Sequence, residues 1–461
     1  MRRHYPIFTE YASLIIFLCG VAFSTNGAST TPAKTLIDYF QPAPIYNHLS
    51  SDVWGAAGVI PRDVSNGLED STMKQWQYWD GKIIKGPDGK YHMFASRWSQ
   101  SKGMSGWGGS VAVHAVSDNP TGPYVDKGPC YPDNEGGKGH NVTAAALPDG
   151  RFAIIVSDTR PGDVFLSDSL SGPWAYQGSI QIDPNGFDSS GTRTNLSLCI
   201  RPDGSYLMAT RFGAMMLSTT GIMGPYKVQG PRVYQNITGL NNGDREDPCL
   251  WYSGGMYHLV VNWWNDRKAY HFTSPNGLTN WTNAGLAYDP TTNFVRYTDG
   301  TVNHWYKMER LGVLVENGHP THFTLAVIDV DKSLDLGNDN HGTKVIVVPF
   351  DGAGFDGGTP NLTEESFSGN TRAIYLTAKG HDLAIKKTFL VPASIAGGVD
   401  RVSISLYDLK GRLVDCLYNG PLVGSAIDVS TNLNQSKVSS AVYCVTLRCG
   451  TVTLSDRITI Q

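Results

Sequence analysis

Five segments of this chain repeat one pattern, and that repeat limits the folds that the chain can adopt. Each segment begins with a polar residue and continues as an apolar strand, a turn and a second apolar strand. The turns contain Asp-Gly, Gly-Gly or Asn-Gly pairs, which are hairpin signals. In every segment the leading polar residue stands eleven positions before a residue at the start of the second strand. The leading residues are Asp80, Asn141, Asn195, Glu246 and Glu309.

The spacing between these segments leaves room for further strands in each. Successive leading residues are 61, 54, 51 and 63 positions apart, which is enough for about four short strands with their turns. A second motif, which ends in an aromatic residue, falls between the hairpins and starts at Ser117, Ser167, Ser218 and Thr273. It follows a short apolar run and indicates the turn into an outer strand. The repeat therefore predicts an all-β fold, a five-bladed β-propeller over residues 45–350.

A tandem array of immunoglobulin-like domains is the main alternative, because it also consists of short strands separated by turn signals. Such an array does not need a polar residue at one fixed place in each unit. A propeller does, because its first strands begin around one end of a central channel. The regular position of the leading residues therefore favours the propeller.

The composition changes after the last repeat. Residues 351–370 are rich in Gly, Ser and acidic residues and are predicted to be a linker. A β pattern resumes over 371–461, which predicts a small β-sandwich-like C-terminal domain. This domain resembles the sorting domains of type IX secretion cargo, and the matching segments are 407–412, 428–433, 442–443 and 458–461. The resemblance implies that the secretion machinery is a partner.

The first 28 residues have the pattern of a signal peptide. Two arginines stand near the start, an apolar core covers residues 14–23, and small residues surround Gly27. The apolar core is too short to remain in a bilayer as an anchor. The sequence therefore predicts a secreted or cell-surface protein without a stable membrane span. The net charge of -4 gives no indication of a nucleic-acid partner.

The leading residues are expected to gather at one mouth of the channel. Asp80, Glu246 and Glu309 would bring three carboxyl groups together there. Hydrolysis of a glycosidic bond uses two carboxyl groups, one ionised to activate water and one protonated to release the leaving group. These residues predict a glycosidase site, in which Asn141 and Asn195 bind the oligo- or polysaccharide substrate.

The arrangement resembles glycoside hydrolase family 43 and its five-bladed relatives. The family's catalytic base is an Asp that opens blade one, and Asp80 in DGKIIKGPDGKY matches its context. The family's general acid is a Glu that opens blade four shortly before a Pro, as Glu246 does in REDPCLWY. The resemblance implies an inverting hydrolase, and exo action is expected. It breaks at blade three, where the family's Asp is replaced by Asn195, which cannot raise the acid's pKa by charge repulsion.

Further polar and aromatic residues lie near the ends of the predicted strands. The arginines among them are Arg97, Arg160, Arg211, Arg245 and Arg267. Because arginine binds carboxylates in bidentate geometry, the sequence predicts a uronate-containing plant or algal glycan as substrate. His140, Asp247, Glu309 and Trp79 complete the set of expected substrate contacts.

No cofactor is expected, and the scattered cysteines lack the C-x-x-C pairs of a zinc site. A structural calcium ion, held with the help of His304, His319 or His322, is the one exception considered. Two other functions stay open. A polysaccharide lyase would use His140 as its base and arginines to neutralise a uronate carboxylate. A non-catalytic glycan-binding propeller would agree with the missing blade-three Asp.

Overall fold

The computed structural model describes residues 34–47, 49–50, 55–234 and 245–358, together with the strands of the C-terminal region. The predicted signal peptide at 1–28 lies outside these residues. Within the described chain, no helix combines the length and the apolar character needed to cross a bilayer.

Strands β1 to β20 form five sheets that follow one another along the chain. Blade one contains β1 (Trp76–Lys85), β2 (Tyr91–Ser99), β3 (Val111–Ser117) and β4 (Val125–Pro129). Blade two contains β5 (Val142–Ala146), β6 (Phe152–Val156), β7 (Asp163–Ser167) and β8 (Ala175–Ser179). Blade three contains β9 (Ile182–Asp183), β10 (Ser197–Ile200), β11 (Tyr206–Ala209), β12 (Met215–Ser218) and β13 (Tyr226–Val228). Blade four contains β14 (Arg245–Ser253), β15 (Met256–Trp263), β16 (Lys268–Ser274) and β17 (Thr282–Tyr288). Blade five contains β18 (Lys307–Glu316), β19 (His319–Ile328) and β20 (Thr343–Pro349).

The five sheets close into a ring. The innermost strand of each blade, called its first strand below, is β1, β5, β10, β14 or β18. Each of these contacts the one in the next blade, and β18 contacts β1. Neighbouring strands within a blade are antiparallel, except that the short β9 runs parallel to β13 at the edge of blade three. The fold is a five-bladed β-propeller, which confirms the prediction from the repeat. Short 3-10 helices lie in the connections and in the N-terminal segment, at Leu36–Tyr39, Ala57–Val59, Gln100–Lys102, Met104–Gly109 and Glu135–Gly137.

Apolar side chains fill the space between neighbouring blades. Phe94 of blade one and Phe165 of blade two belong to one such cluster, and Leu207 of blade three and Leu259 of blade four belong to another. Both faces of inner strands such as β6 and β15 are therefore buried, which explains their nearly continuous apolar runs, whereas the outer strands β4 and β8 are largely exposed. Burial of each large side chain contributes about 1.5–3 kcal/mol to the stability of the ring.

The N-terminal segment closes blade five. Leu68 pairs with Val345 of β20 through two backbone hydrogen bonds of 2.9 and 3.0 Å. Asn66 adds side-chain bonds to both backbone groups of Val347. Gly67 stands between them with a φ of 73°, and a Cβ at this position would lie 1.8 Å from the Val345 carbonyl oxygen. Only glycine therefore allows this approach.

One backbone feature recurs where each first strand begins at the channel. A residue with positive φ stands there in all five blades, namely Asp80 (68°), Asn141 (54°), Asn195 (46°), Asp247 (56°) and Arg310 (52°). In blades one, four and five the strand register also shifts at this point. The repeat in the sequence therefore corresponds to a repeated backbone conformation. In blades four and five the residues with this conformation are Asp247 and Arg310, one position after Glu246 and Glu309.

The chain continues after the propeller as a short helix and a second all-β region. Helix α1 (Gly352–Gly358) lies in the predicted linker, and its Phe355 packs against Phe350 at a ring distance of 5.3 Å. Most of the remaining linker is outside the described residues. The C-terminal strands are β21 (Leu376–Lys379), β22 (Asp382–Leu390), β23 (Arg401–Tyr407), β24 (Leu413–Pro421), β25 (Ala426–Leu433), β26 (Ala441–Cys449) and β27 (Val452–Ile460). They form two antiparallel sheets, ordered β21-β22-β25 and β24-β23-β26-β27.

Candidate active site

A pocket of about 450 Å³ opens at the end of the channel where the first strands begin. Every blade contributes to its lining. The polar lining residues include His140, Asn141, Asp158, Asn195, Arg211, Glu246, Asp247, Glu309 and Lys332. The aromatic ones are Trp79 and Trp107. The fold thus brings together, on one concave surface, groups that are up to about 250 positions apart in the chain.

The structure places most of the predicted site residues in this pocket. Those that line it are Trp79, His140, Asn141, Asn195, Arg211, Glu246, Asp247 and Glu309. Those that do not line it are Asp80, Arg97, Arg160, Arg245 and Arg267. The two groups differ in their contacts as well as in their position.

Asp80, the predicted base, lies deeper along the axis than the pocket. Its side chain borders a narrow channel with a volume of about 20 Å³, and only 1% of the residue is exposed. One carboxylate oxygen accepts hydrogen bonds from the Ser96 hydroxyl and the Val142 backbone N–H. The other accepts from Arg310 Nε at 3.1 Å. Both oxygens are therefore occupied by protein groups.

Arg310 joins the positive-φ residues of three blades into a network. Its buried guanidinium contacts Asp80 and lies 3.4 Å from Asp247 Oδ1. The same Asp247 oxygen accepts a hydrogen bond of 2.5 Å from Asn195 Nδ2. Arg310 is not among the site residues predicted from the sequence. Alignment of blades four and five one position later, at Asp247 and Arg310, would have placed Arg310 in the position equivalent to Asp80.

Glu246 stands on the pocket wall with 16% of its side chain exposed. Its Oε2 lies 2.9 Å from Arg211 Nη2. Burial, followed by the negative charges of Asp247 and Glu309, raises its pKa to about 8. The carboxyl group is therefore mainly protonated at neutral pH, although Lys332 and Arg211 partly oppose this shift.

Glu309 is the ionised counterpart of Glu246. Lys332 Nζ lies 2.5 Å from one of its oxygens, and Lys307 Nζ lies 2.9 Å from the other. Burial works against ionisation here, but the two ammonium groups outweigh it and lower the pKa of Glu309. Two carboxyl groups whose pKa values are shifted in opposite directions are typical of acid–base catalysis.

Glu246, Asp247 and Glu309 form a compact cluster, in which each offers an oxygen within 4.8 Å of the others. The histidines considered for calcium are not part of it. His304 is exposed, His319 contacts Asp356, and His322 contacts Thr321. Lysine ammonium groups already balance Glu309, and the cluster by itself assigns no metal to the pocket.

Asp158 is a pocket residue that the sequence analysis did not select. It follows β6 and accepts a hydrogen bond from Asn141 Nδ2. Burial raises its pKa to about 6, although the positive charge of Arg310 opposes the shift. Its counterpart at the end of the second strand of blade three is Arg211. Polar residues at these strand ends were a usable signal, but only the arginines among them were selected.

His140 is buried at the edge of the pocket. Its Nδ1 lies 2.9 Å from the Ser110 hydroxyl, and its ring packs against Trp107 at 5.0 Å. Burial is the main reason that its pKa falls to about 4. The imidazole is therefore neutral over the physiological range and offers the pocket a polar, uncharged group.

The arginines outside the pocket are occupied elsewhere. Arg97 pairs with Asp126 at 2.5 Å, and Arg160 pairs with Asp163 at 2.7 Å. Arg245 donates to the Tyr234 carbonyl, and Arg267 donates to the Tyr306 carbonyl. Of the five predicted arginines, only Arg211 lines the pocket.

Trp107 provides an exposed aromatic surface at the pocket rim. The residue is 43% exposed, and it belongs to the 3-10 helix Met104–Gly109. Trp79, in contrast, is buried and has Lys332 Nζ 4.8 Å from its ring centroid. An exposed indole beside polar groups is suited to stacking against the apolar face of a sugar ring.

Comparisons with known proteins find similarity to solved structures at low sequence identity. No family model and no curated protein sequence matches this chain. Among similar solved structures, a β-1,3-galactosidase of glycoside hydrolase family 43 is 14% identical, with 62% of this chain and 94% of that chain covered and a TM-score of 0.40. A family 117 glycoside hydrolase from Zobellia galactanivorans is 12% identical, with 62% and 88% covered and a TM-score of 0.42. An α-L-arabinofuranosidase from Podospora anserina is 14% identical, with 62% and 93% covered and a TM-score of 0.42. Likeness at this level assigns no role to any residue of this chain.

Proposed function

We propose that this protein is a glycoside hydrolase in which Glu246 is the general acid. The observation that carries the proposal is a partly exposed carboxyl group on the wall of an open pocket, with its pKa raised to about 8. Such a group holds a proton at neutral pH and can give it to the oxygen of a departing sugar. Arg211, 2.9 Å from Glu246, then stabilises the carboxylate that remains.

Asp247 compensates for the missing blade-three carboxylate. Asn195 carries no charge, yet the negative charge of Asp247 contributes to the raised pKa of Glu246. Asn195 keeps Asp247 in place through its Nδ2. Its Oδ1 is buried and accepts no hydrogen bond from the described residues.

The proposed substrate is the end of a plant or algal glycan that carries a uronate. A pocket of about 450 Å³ is suited to a short terminal portion of a chain, which supports exo action. Recognition of the uronate depends on Arg211, since the other four predicted arginines lie outside the pocket. Lys332 provides a second positive charge on the same surface.

Export is proposed on the sequence patterns alone. Residues 1–28 would direct the chain out of the cytoplasm, and the domain over 371–461 would engage the type IX secretion machinery. A reporter protein fused to this domain should appear outside a bacterium that has the machinery. Retention of the fusion, when a known cargo domain is exported, would contradict this part of the proposal.

The glycosidase assignment is tested with aryl glycosides and oligosaccharides of neutral and uronate sugars. Replacement of the acid in Glu246→Gln should lower kcat about 10²–10⁴-fold on substrates with a poor leaving group. The loss should be much smaller on 2,4-dinitrophenyl glycosides, whose leaving group needs no proton. An equal loss on both substrates, or near-normal hydrolysis of both, would rule out Glu246 as the acid.

The same reactions separate hydrolysis from the alternatives. A lyase would release an unsaturated uronate with ultraviolet absorbance, but its expected base, His140, is buried and has a pKa of about 4. Glycan binding without any product would instead indicate a non-catalytic propeller.

A further inference from the structure

We propose that Asp158 is the residue that takes the proton from the attacking water. This inference rests on the proposed glycosidase function and gives the base role to blade two instead of blade one. It follows from the positions and partners of the acidic residues around the channel mouth.

Asp80 is poorly placed for this role. It is excluded from the pocket lining, and its two oxygens are held by Ser96, Val142 and Arg310. A water molecule in the pocket would need to displace one of these partners before it could transfer a proton to Asp80. The contacts fit a positioning role instead, since they fix Arg310 and the start of β5.

Glu309 and Asp247 are on the wrong side of the pocket. Both belong to the compact cluster that contains Glu246, whereas an inverting hydrolase needs its base across the sugar from the acid. Glu309 is also held by Lys307 and Lys332, which reduces its affinity for a proton. Asp247 accepts from both Asn195 and Arg310.

Asp158 differs from these residues in position. It comes from blade two, and Glu246 comes from blade four, so blade three separates them around a ring of five. Asp158 is not part of the cluster around Glu246, although both residues line the same pocket. A sugar bound at the channel mouth can therefore have the acid on one side and Asp158 on the other.

Asp158 also has a free acceptor. Asn141 occupies Oδ2, and Oδ1 accepts no hydrogen bond from the described part of the chain. The charged groups that act on it are Arg310, Asp247, Asp80 and Arg211, from the four other blades. Burial, followed by the negative charges of Asp247 and Asp80, raises its pKa to about 6, although Arg310 and Arg211 oppose the shift. The carboxylate is therefore ionised at neutral pH and still has appreciable affinity for a proton.

The reaction consumes one water molecule and regenerates both carboxyl groups. The water oxygen forms a bond to the anomeric carbon and passes one proton to Asp158 Oδ1. The bond between the anomeric carbon and the leaving oxygen breaks, and that oxygen receives the proton of Glu246. Exchange with solvent then returns the proton from Asp158 and restores the proton on Glu246. Because water attacks opposite the leaving group, the configuration at the anomeric carbon inverts.

The test compares Asp158→Asn with Asp149→Asn, a matched change in an exposed hairpin turn of the same blade. The 2,4-dinitrophenyl glycoside that wild type cleaves is the substrate. Asp158→Asn should lower kcat about 10²–10⁴-fold, while Asp149→Asn should leave it unchanged. Added azide should partly restore turnover of Asp158→Asn and yield a glycosyl azide of inverted configuration. A structural role would produce neither effect.

The pH profile gives an independent readout. On a substrate with a poor leaving group, the acidic limb of kcat/KM near pH 6 should disappear in Asp158→Asn, and the basic limb near pH 8, which reports Glu246, should remain. Retention of the acidic limb with activity within a few-fold of wild type would overturn the role of Asp158. Azide rescue of Asp80→Asn but not of Asp158→Asn would return the role to Asp80. If wild type hydrolyses no glycoside, the proposed function itself fails.

Discussion

Removal of Arg310 is expected to destabilise the propeller strongly. Its guanidinium is buried between Asp80 and Asp247, at distances of 3.1 and 3.4 Å. In Arg310→Met these two carboxyl groups remain buried without their shared cation. Breaking a buried ion pair from one side costs about 3–5 kcal/mol. Because both acids depend on the same arginine, the loss in unfolding free energy should lie in the upper part of that range.

The free energy of unfolding is measured by urea titration, with tryptophan fluorescence as the signal. A triple variant, Arg310→Met with Asp80→Asn and Asp247→Asn, removes the positive charge and both negative charges together. It should recover most of the unfolding free energy that Arg310→Met loses, because neutral replacement of a whole buried ionic group is often tolerated. Asp149→Asn is the control for a carboxylate at the surface. A loss under about 1 kcal/mol in Arg310→Met, within the range of an exposed ion pair, would refute the reasoning. So would a triple variant that is no more stable than Arg310→Met.

Two further changes test how the pocket binds substrate. Arg211→Gln should raise KM for a uronate-bearing substrate about 10-fold or more relative to its neutral analogue, since a charged hydrogen bond contributes about 1.5–3 kcal/mol. An equal change in KM for both substrates would contradict recognition of the uronate by Arg211. Trp107→Ala should raise KM about 2–10-fold through the loss of a stacking surface worth about 0.5–1.5 kcal/mol, without a change in thermal unfolding. The matched control Phe187→Ala, an exposed aromatic residue that does not line the pocket, should leave KM unchanged.

The fold was predictable because every blade of the propeller needs the same kinds of residue at corresponding positions. Each blade needs apolar strands and a tight hairpin turn, and these leave a regular pattern in the sequence. The polar residue at each channel end was also visible, because the backbone there adopts positive φ, which Asp and Asn tolerate better than most residues. Asp80, Asn141 and Asn195 were aligned correctly for this reason.

The finer arrangement of the site depends on features that the pattern does not contain. Bulges in blades four and five place Asp247 and Arg310, not Glu246 and Glu309, in the position equivalent to Asp80. Sequence alone does not reveal that Arg310 neutralises the predicted base. Lys332 also escaped the sequence analysis, because it lies after the last strand of the fifth hairpin and has no counterpart in the repeat.

Two predicted arginines with similar places in the sequence repeat also have different positions in the structure. Arg97 lies near the end of β2, and Arg211 follows the corresponding strand β11. Asp126 neutralises Arg97 away from the pocket, whereas Arg211 contacts Glu246 inside it. Their roles are set by which carboxylate lies opposite, and that depends on the tertiary arrangement.

The central claim is that Glu246 holds a proton at neutral pH and delivers it to the leaving group. Its most direct test is the pH dependence of kcat/KM for a substrate with a poor leaving group. With Glu246 active only when protonated, kcat/KM of the wild type should fall as pH rises past about 8, and this limb should be absent from the residual activity of Glu246→Gln. A wild-type profile that stays flat to pH 9, or a basic limb that survives in Glu246→Gln, would contradict the assignment.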